Sequence, residues 1–204
     1  MIKRLLFIAL FLPMITLGND IRQEIANSLK SIAYEKNIDA RVFYVFAKTE
    51  SDFEPYIISF LTADGDFIKR LKTAFSDTNF KFRSSKYDKS RYAVSIYSHN
   101  KADMIALADF FWDFNFNVDF GLMQISKQNL NRAELAQIFD PSYNIYKSYE
   151  VLSNCMKKYD SSSKDVIECY NKGFGRKKKY DYYAKFINYY NDFFGDKQWT
   201  RFQF

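Results

Sequence analysis

Glu50 is a carboxylate in a place where an amphipathic helix would normally carry hydrocarbon. In the stretch Phe46-Ala47-Lys48-Thr49-Glu50-Ser51-Asp52-Phe53-Glu54-Pro55, residues Ala47, Phe46 and Phe43 lie three, four and seven positions before it, and Phe53 lies three after. At helical spacing Glu50 shares their apolar face. Burial there favours the neutral carboxyl, and a place in the last turn before Pro55 adds the negative end of the helix dipole, which acts in the same direction. Such a group can donate a proton near neutral pH. Taken alone, Glu50 is better explained as a side chain turned to solvent at a frayed helix end, because most Glu residues are exposed.

Other chemistry finds little support. The single histidine, His99, has no Cys or His neighbour at ligand spacing, so neither a metal site nor a Ser-His-Asp arrangement is indicated. No glycine loop suited to cradling phosphate occurs, and no cofactor is expected. Arg176-Lys177-Lys178-Lys179 reads as a solvated helix start.

The elements that must position Glu50 follow from periodicity and caps. Ile21, Ile25, Leu29 and Ile32 recur at helical spacing in a first helix that ends near Asn37. Asp39 can cap a second, from Ala40 to about Phe53, closed by Pro55. From Tyr56 to about Arg91 the pattern weakens. Asp64-Gly65 reads as a turn there, and Phe80–Arg83 and Tyr92–Tyr97 look strand-like. This region is taken as an insertion at about 56–91. Helices are then expected over Asn100–Asn115, from Pro141 to about Tyr159 and over Val166–Tyr170. A final helix carries Tyr183, Phe186, Ile187, Tyr190, Phe193 and Phe194 on one side. Cys155 and Cys169 fall on two helices joined by a short loop, where a disulfide is geometrically reasonable.

The chain has 204 residues, 48% hydrophobic and 20% aromatic, enough for one sizeable folded domain. Lys3 and Arg4, the apolar run Leu5–Leu17 and the small residues Thr16 and Gly18 read as a secretory signal over residues 1–18, with residues 19–204 as the mature domain. The run is shorter than the roughly 20 residues of a membrane-spanning helix, so a retained anchor is the second choice, and no span is expected after cleavage. Without it, 28 basic residues face 24 acidic ones, a bias of +4 that is too weak to argue for nucleic acid. Export to an oxidising compartment agrees with the paired cysteines.

Four motifs follow in order. They are Glu50-Ser51 with Phe53 and Pro55, Gly121-Leu122-Met123-Gln124-Ile125, Phe139-Asp140-Pro141 with Asn144-Ile145, and Tyr170-Asn171-Lys172-Gly173. The ordered set resembles the soluble lytic transglycosylase family, and Asp119 with Asn129-Leu130 looks most like its branch associated with conjugation and type IV secretion. The resemblance implies a mainly α, α+β lysozyme-like fold: a single helical domain with a mixed, β-containing insertion. It further implies a periplasmic lyase that cleaves peptidoglycan glycan strands to 1,6-anhydromuramyl ends, with secretion or conjugation components as partners. Matched residue by residue, Glu50 would be the catalytic acid and base, and Ser51 would position substrate. Gly121, Met123 and Gln124 would floor the glycan cleft, and Tyr170 and Asn171 would face Glu50. A hydrolase would need a second carboxylate, for which Asp52 points elsewhere and Asp119 is expected to cap a turn through backbone amides. A non-cleaving glycan-binding or scaffold module is the reading from another class, motivated by the insertion and by Lys172.

Overall fold

The computed structural model describes residues 21–159, 162–175 and 181–195. The expected signal segment and the basic run Arg176–Lys179 lie outside these residues. Helices α1 (Ile21–Lys36) and α2 (Ala40–Ser51) lead into a strand β1 (Ile57–Thr62), helix α3 (Gly65–Ala74) and strands β2 (Lys81–Lys86) and β3 (Tyr92–Tyr97). Helix α4 (Lys101–Trp112), short strands β4 (Val118–Phe120) and β5 (Ile125–Ser126) and two 3₁₀ turns come next. The chain continues with α5 (Pro141–Tyr159), α6 (Ser163–Lys172) and α7 (Asp181–Phe194). The fold is mainly α with one small sheet, as a lysozyme-like domain requires. No helix among the described residues is long and apolar enough to cross a membrane.

The first two helices form where their caps and stripes place them. Asp39 accepts the Arg41 amide at 2.9 Å to start α2, and Phe43, Phe46 and Ala47 are fully buried. The helix stops at Ser51, two residues short of the expected end. Asp52 and Phe53 both adopt left-handed backbone conformations, and their amides close on Lys48 and Ala47 carbonyls. Pro55 disfavours a helical Glu54, so the chain turns out before reaching it.

The expected insertion is where the structure departs most from the pattern. The Asp64-Gly65 pair starts α3 rather than a hairpin turn: Asp64 accepts the Phe67 amide at 2.8 Å, and Phe67 then packs against Phe60. Strand β1, unmarked by alternation, is the centre of an antiparallel sheet ordered β2-β3-β1-β4-β5. Register gives the sheet two unlike faces. Phe82, Ile96, Ile58, Phe120 and Ile125 align in one row across the five strands and point into the core. The adjacent row, on the opposite face, is Arg83, Ser95, Ser59, Asp119 and Ser126.

Candidate active site

Glu50 sits in the last turn of α2 above an aromatic base. Phe46, one turn earlier, packs against Tyr170 with ring centroids 4.2 Å apart and against Phe186 at 5.0 Å. The Tyr182 hydroxyl of α7 hydrogen-bonds to Glu50 Oε1. Lys185, one turn further along α7, donates to the Thr49 carbonyl at 3.0 Å and so serves the C-terminal end of α2. Burial pushes the Glu50 carboxyl up to about 7. The Tyr182 hydrogen bond and the Lys185 charge act against burial, and the charge of Asp119 acts with it. A carboxyl poised near neutrality can give up a proton and take one back. Burial, reinforced by Glu50, drives the Tyr170 and Tyr182 phenols upward, so both remain protonated donors.

A cleft of about 710 Å³ opens beside Glu50. Of the residues expected there, Gln124, Tyr170 and Asn171 line it, as do both half-cystines of the Cys155–Cys169 disulfide, which ties α5 to α6. Gln124 adopts a left-handed backbone and donates from Nε2 to the Gly121 carbonyl at 2.9 Å. Gly121 and Met123, expected on the cleft floor, are instead buried beneath it. Gly121 has a φ of +74°, and an added Cβ would stand 2.4 Å from Asn144 Nδ2 and 2.9 Å from the Ile138 carbonyl. Asn144 accepts the Met123 amide at 2.7 Å and donates to the Phe120 and Ile138 carbonyls, which clamps the turn. Met123 reaches the site only through its carbonyl, which accepts the Tyr170 hydroxyl at 2.9 Å. Ser51 is not among the residues lining the cleft: its hydroxyl donates back to the Ala47 carbonyl at 3.2 Å.

Asp119 does not cap a turn. Strand β4 pairs with β1 and β5, and this register sends the Asp119 side chain into the cleft shared with Glu50. Asn117 Nδ2 donates to it at 3.1 Å, the Ser126 hydroxyl donates at 2.8 Å to Asn117 Oδ1 and so holds that amide in place, and burial pushes the Asp119 carboxyl up to about 6. Asp52 does point elsewhere, paired with Lys48 on the surface. A second cavity of about 740 Å³, walled by Ile25, Leu29, Tyr44, Phe53 and Phe194, contains neither Glu50 nor Asp119.

A family model described as the transglycosylase SLT domain matches residues 27–193. The chain belongs to the transglycosylase SLT domain family. Peptidoglycan is the substrate that membership implies, and the cleft is built from that matched region. No curated protein and no solved structure matches the chain.

The SLT domain here uses residues that the sequence pattern did not single out. Tyr182 was hidden within an aromatic helix. Its signal is the i, i+4, i+8 spacing of Tyr182, Phe186 and Tyr190, the three buried residues of α7, which is rotated slightly from the stripe expected around Tyr183. Lys172 is explained by structure: its ammonium meets the fully buried Glu168 at 2.8 Å and also Asp181. Glu168 in turn accepts the Tyr183 amide at 2.7 Å. This group fastens the start of α7, and with it Tyr182, against α6.

Proposed function

We propose that this protein is a periplasmic lytic transglycosylase that cleaves the β-1,4 bond between N-acetylmuramic acid and N-acetylglucosamine, leaving 1,6-anhydromuramyl ends. Glu50 protonates the glycosidic oxygen as the bond to the anomeric carbon breaks. The ionised carboxylate then takes the proton of the sugar's own 6-hydroxyl, whose oxygen closes on the anomeric carbon. Atoms and charge balance without water or cofactor, and Glu50 ends protonated as it began. The observation that carries this reading is a Glu50 carboxyl held near neutrality in a cleft walled by Gln124, Tyr170 and Asn171. Tyr170 and Tyr182 supply protonated hydroxyls rather than a competing base.

Asp119 favours a second reading, a muramidase-type hydrolase in which a second carboxylate activates water or stabilises the developing cation. Products separate the two. Intact sacculi digested with wild type should release anhydro ends, and Glu50→Gln should lose roughly 10² to 10⁴ of the rate, the range for a general acid–base group. Reducing muramic ends from active wild type would replace the lyase by the hydrolase.

The motif branch and the basic-apolar start support a role in opening the wall for a secretion or conjugation apparatus. Complementation tests it: a Glu50→Gln chain that restores transfer to a deletion strain as well as wild type would remove cleavage from that role and leave a scaffold. Lys172, which motivated a scaffold, already has a structural task with Glu168 and Asp181.

A further inference from the structure

Asp119 lines the cleft and also belongs to a row of residues on the outward face of the sheet. The row that carries Asp119 continues across the outward face of the sheet to Ser59, Ser95 and Arg83, one residue per strand. Three strand spacings separate Asp119 from Arg83, about 14 Å, longer than a single sugar ring. Every member of this row is polar. Ser59 and Ser95 are half-buried, and their hydroxyls lie 3.0 Å apart, so each keeps further hydrogen-bonding capacity for a ligand. At the far end a recess of about 570 Å³ is lined by Lys72, Arg83, Ser85 and Ser95. The Arg83 guanidinium lies over the Tyr97 ring, 5.0 Å from its centroid, which holds it across this face of the sheet.

Charge is distributed to match. Residues 57–97 hold eight basic and four acidic side chains, an excess of four. That equals the whole excess downstream of Gly18, so the remainder of the chain is balanced. Three of the four acids, Asp64, Asp66 and Asp88, are paired within this segment with Arg70, Lys69 and Arg91. Lys72 and Arg83 are the cations of the recess at the end of the serine row.

We propose that the outward face of the sheet is an extended glycan track, in which Ser59 and Ser95 bind sugar hydroxyls beyond the cleaved bond and Arg83 with Lys72 binds a carboxylate of the substrate. The occupant is peptidoglycan itself, a polyhydroxylated strand bearing carboxylates at intervals. The row's start at Asp119, a lining residue of the Glu50 cleft, and complementary charge both select it. The proposal rests on the reading of that cleft as a glycan site. It makes the segment at 56–91 a substrate-holding device that favours long strands.

Binding to sacculi, measured by co-sedimentation of the full chain with cleavage silenced by Glu50→Gln, tests this separately from catalysis. Adding Arg83→Glu or Lys72→Glu should weaken binding about tenfold, the loss of one charge-assisted hydrogen bond. Adding Ser59→Val with Ser95→Val should weaken binding both to sacculi and to long chitooligosaccharides, which lack carboxylates, whereas Arg83→Glu should leave chitooligosaccharide binding unchanged. Circular dichroism of each variant guards against misfolding, and Arg83 and Lys72 are exposed enough to be replaced without disturbing the core. Parental binding to sacculi by all folded variants would overturn the track. If wild type cleaves no sacculi while the variants still lose binding, the enzyme reading falls and the track stands.

Discussion

Tyr182 reaches Glu50 from 132 residues further along the chain and donates its hydroxyl to Oε1 of the carboxylate. The bond stabilises the ionised form and so restrains the upward push of burial. Removing it in Tyr182→Phe should raise the Glu50 pKa above about 7. If protonated Glu50 starts the reaction, the alkaline limb of the pH–rate profile should move to higher pH. An alkaline limb that stays in place or moves lower would show that Tyr182 does not tune Glu50.

Asp119 acts in the opposite direction. Its negative charge raises the Glu50 pKa, so Asp119→Asn should lower it and draw the alkaline limb toward acid. The same variant probes mechanism. A lyase using Glu50 alone keeps its anhydro products with a moderate change in rate, whereas a hydrolase dependent on Asp119 should lose roughly 10²-fold or more.

Stability should depend on pH through the same two carboxyls. Both folded pKa values lie above the ordinary ones, about 7 against 4.5 for Glu50 and about 6 against 3.8 for Asp119. The native state therefore holds protons that the unfolded chain releases. Their contribution is complete below about pH 4 and is lost as pH rises through 6 to 7. For Glu50 it is on the order of 3 kcal/mol. Thermal melts from pH 5 to 8 should show a decline in Tm for wild type and a shallower one for Glu50→Gln. Equal slopes would contradict a half-buried Glu50 held neutral by the folded chain.

Gly121→Ala should damage the fold rather than the chemistry. The added methyl meets Asn144 and the Ile138 carbonyl at a backbone angle that L side chains rarely adopt. A loss of about 2 kcal/mol or more is expected, read as a lowered denaturation midpoint. Asn144 clamps Met123, Phe120 and Ile138 together, so the cleft turn should loosen as well, with weakened substrate binding.

Most helices were legible because their signals are local. Asp39 caps where expected, the stripe from Ile25 to Ile32 is buried, and Cys155 and Cys169 meet. The sheet was less legible. Strand β4 has three residues, too few to show alternation, and β1 is defined by partners on β3 and β4 rather than by its own pattern. Asp64-Gly65 fits a turn or a helix cap equally well, and the packing of Phe67 on Phe60 decides it. The cleft shows the same division. Glu50 and Tyr170 stand out from their neighbours in sequence, but the direction of Asp119 depends on strand register, which a one-residue slip would reverse. Tyr182 is one phenol among many until α7 is docked.

That docking ties the state of the acid to the closure of the chain. Helix α7, the last described, brings Tyr182 to Glu50 and Phe186 to Phe46, with Glu168 and Lys172 fastening its start. Without α7, Glu50 would lie at the open end of α2, and a solvated carboxylate is ionised at neutral pH. The raised pKa of Glu50 thus belongs to the closed chain and not to α2 alone. A chain cut ahead of α7 would keep the cleft motifs of α2 and β4 but lose the partners that hold Glu50 in its present state.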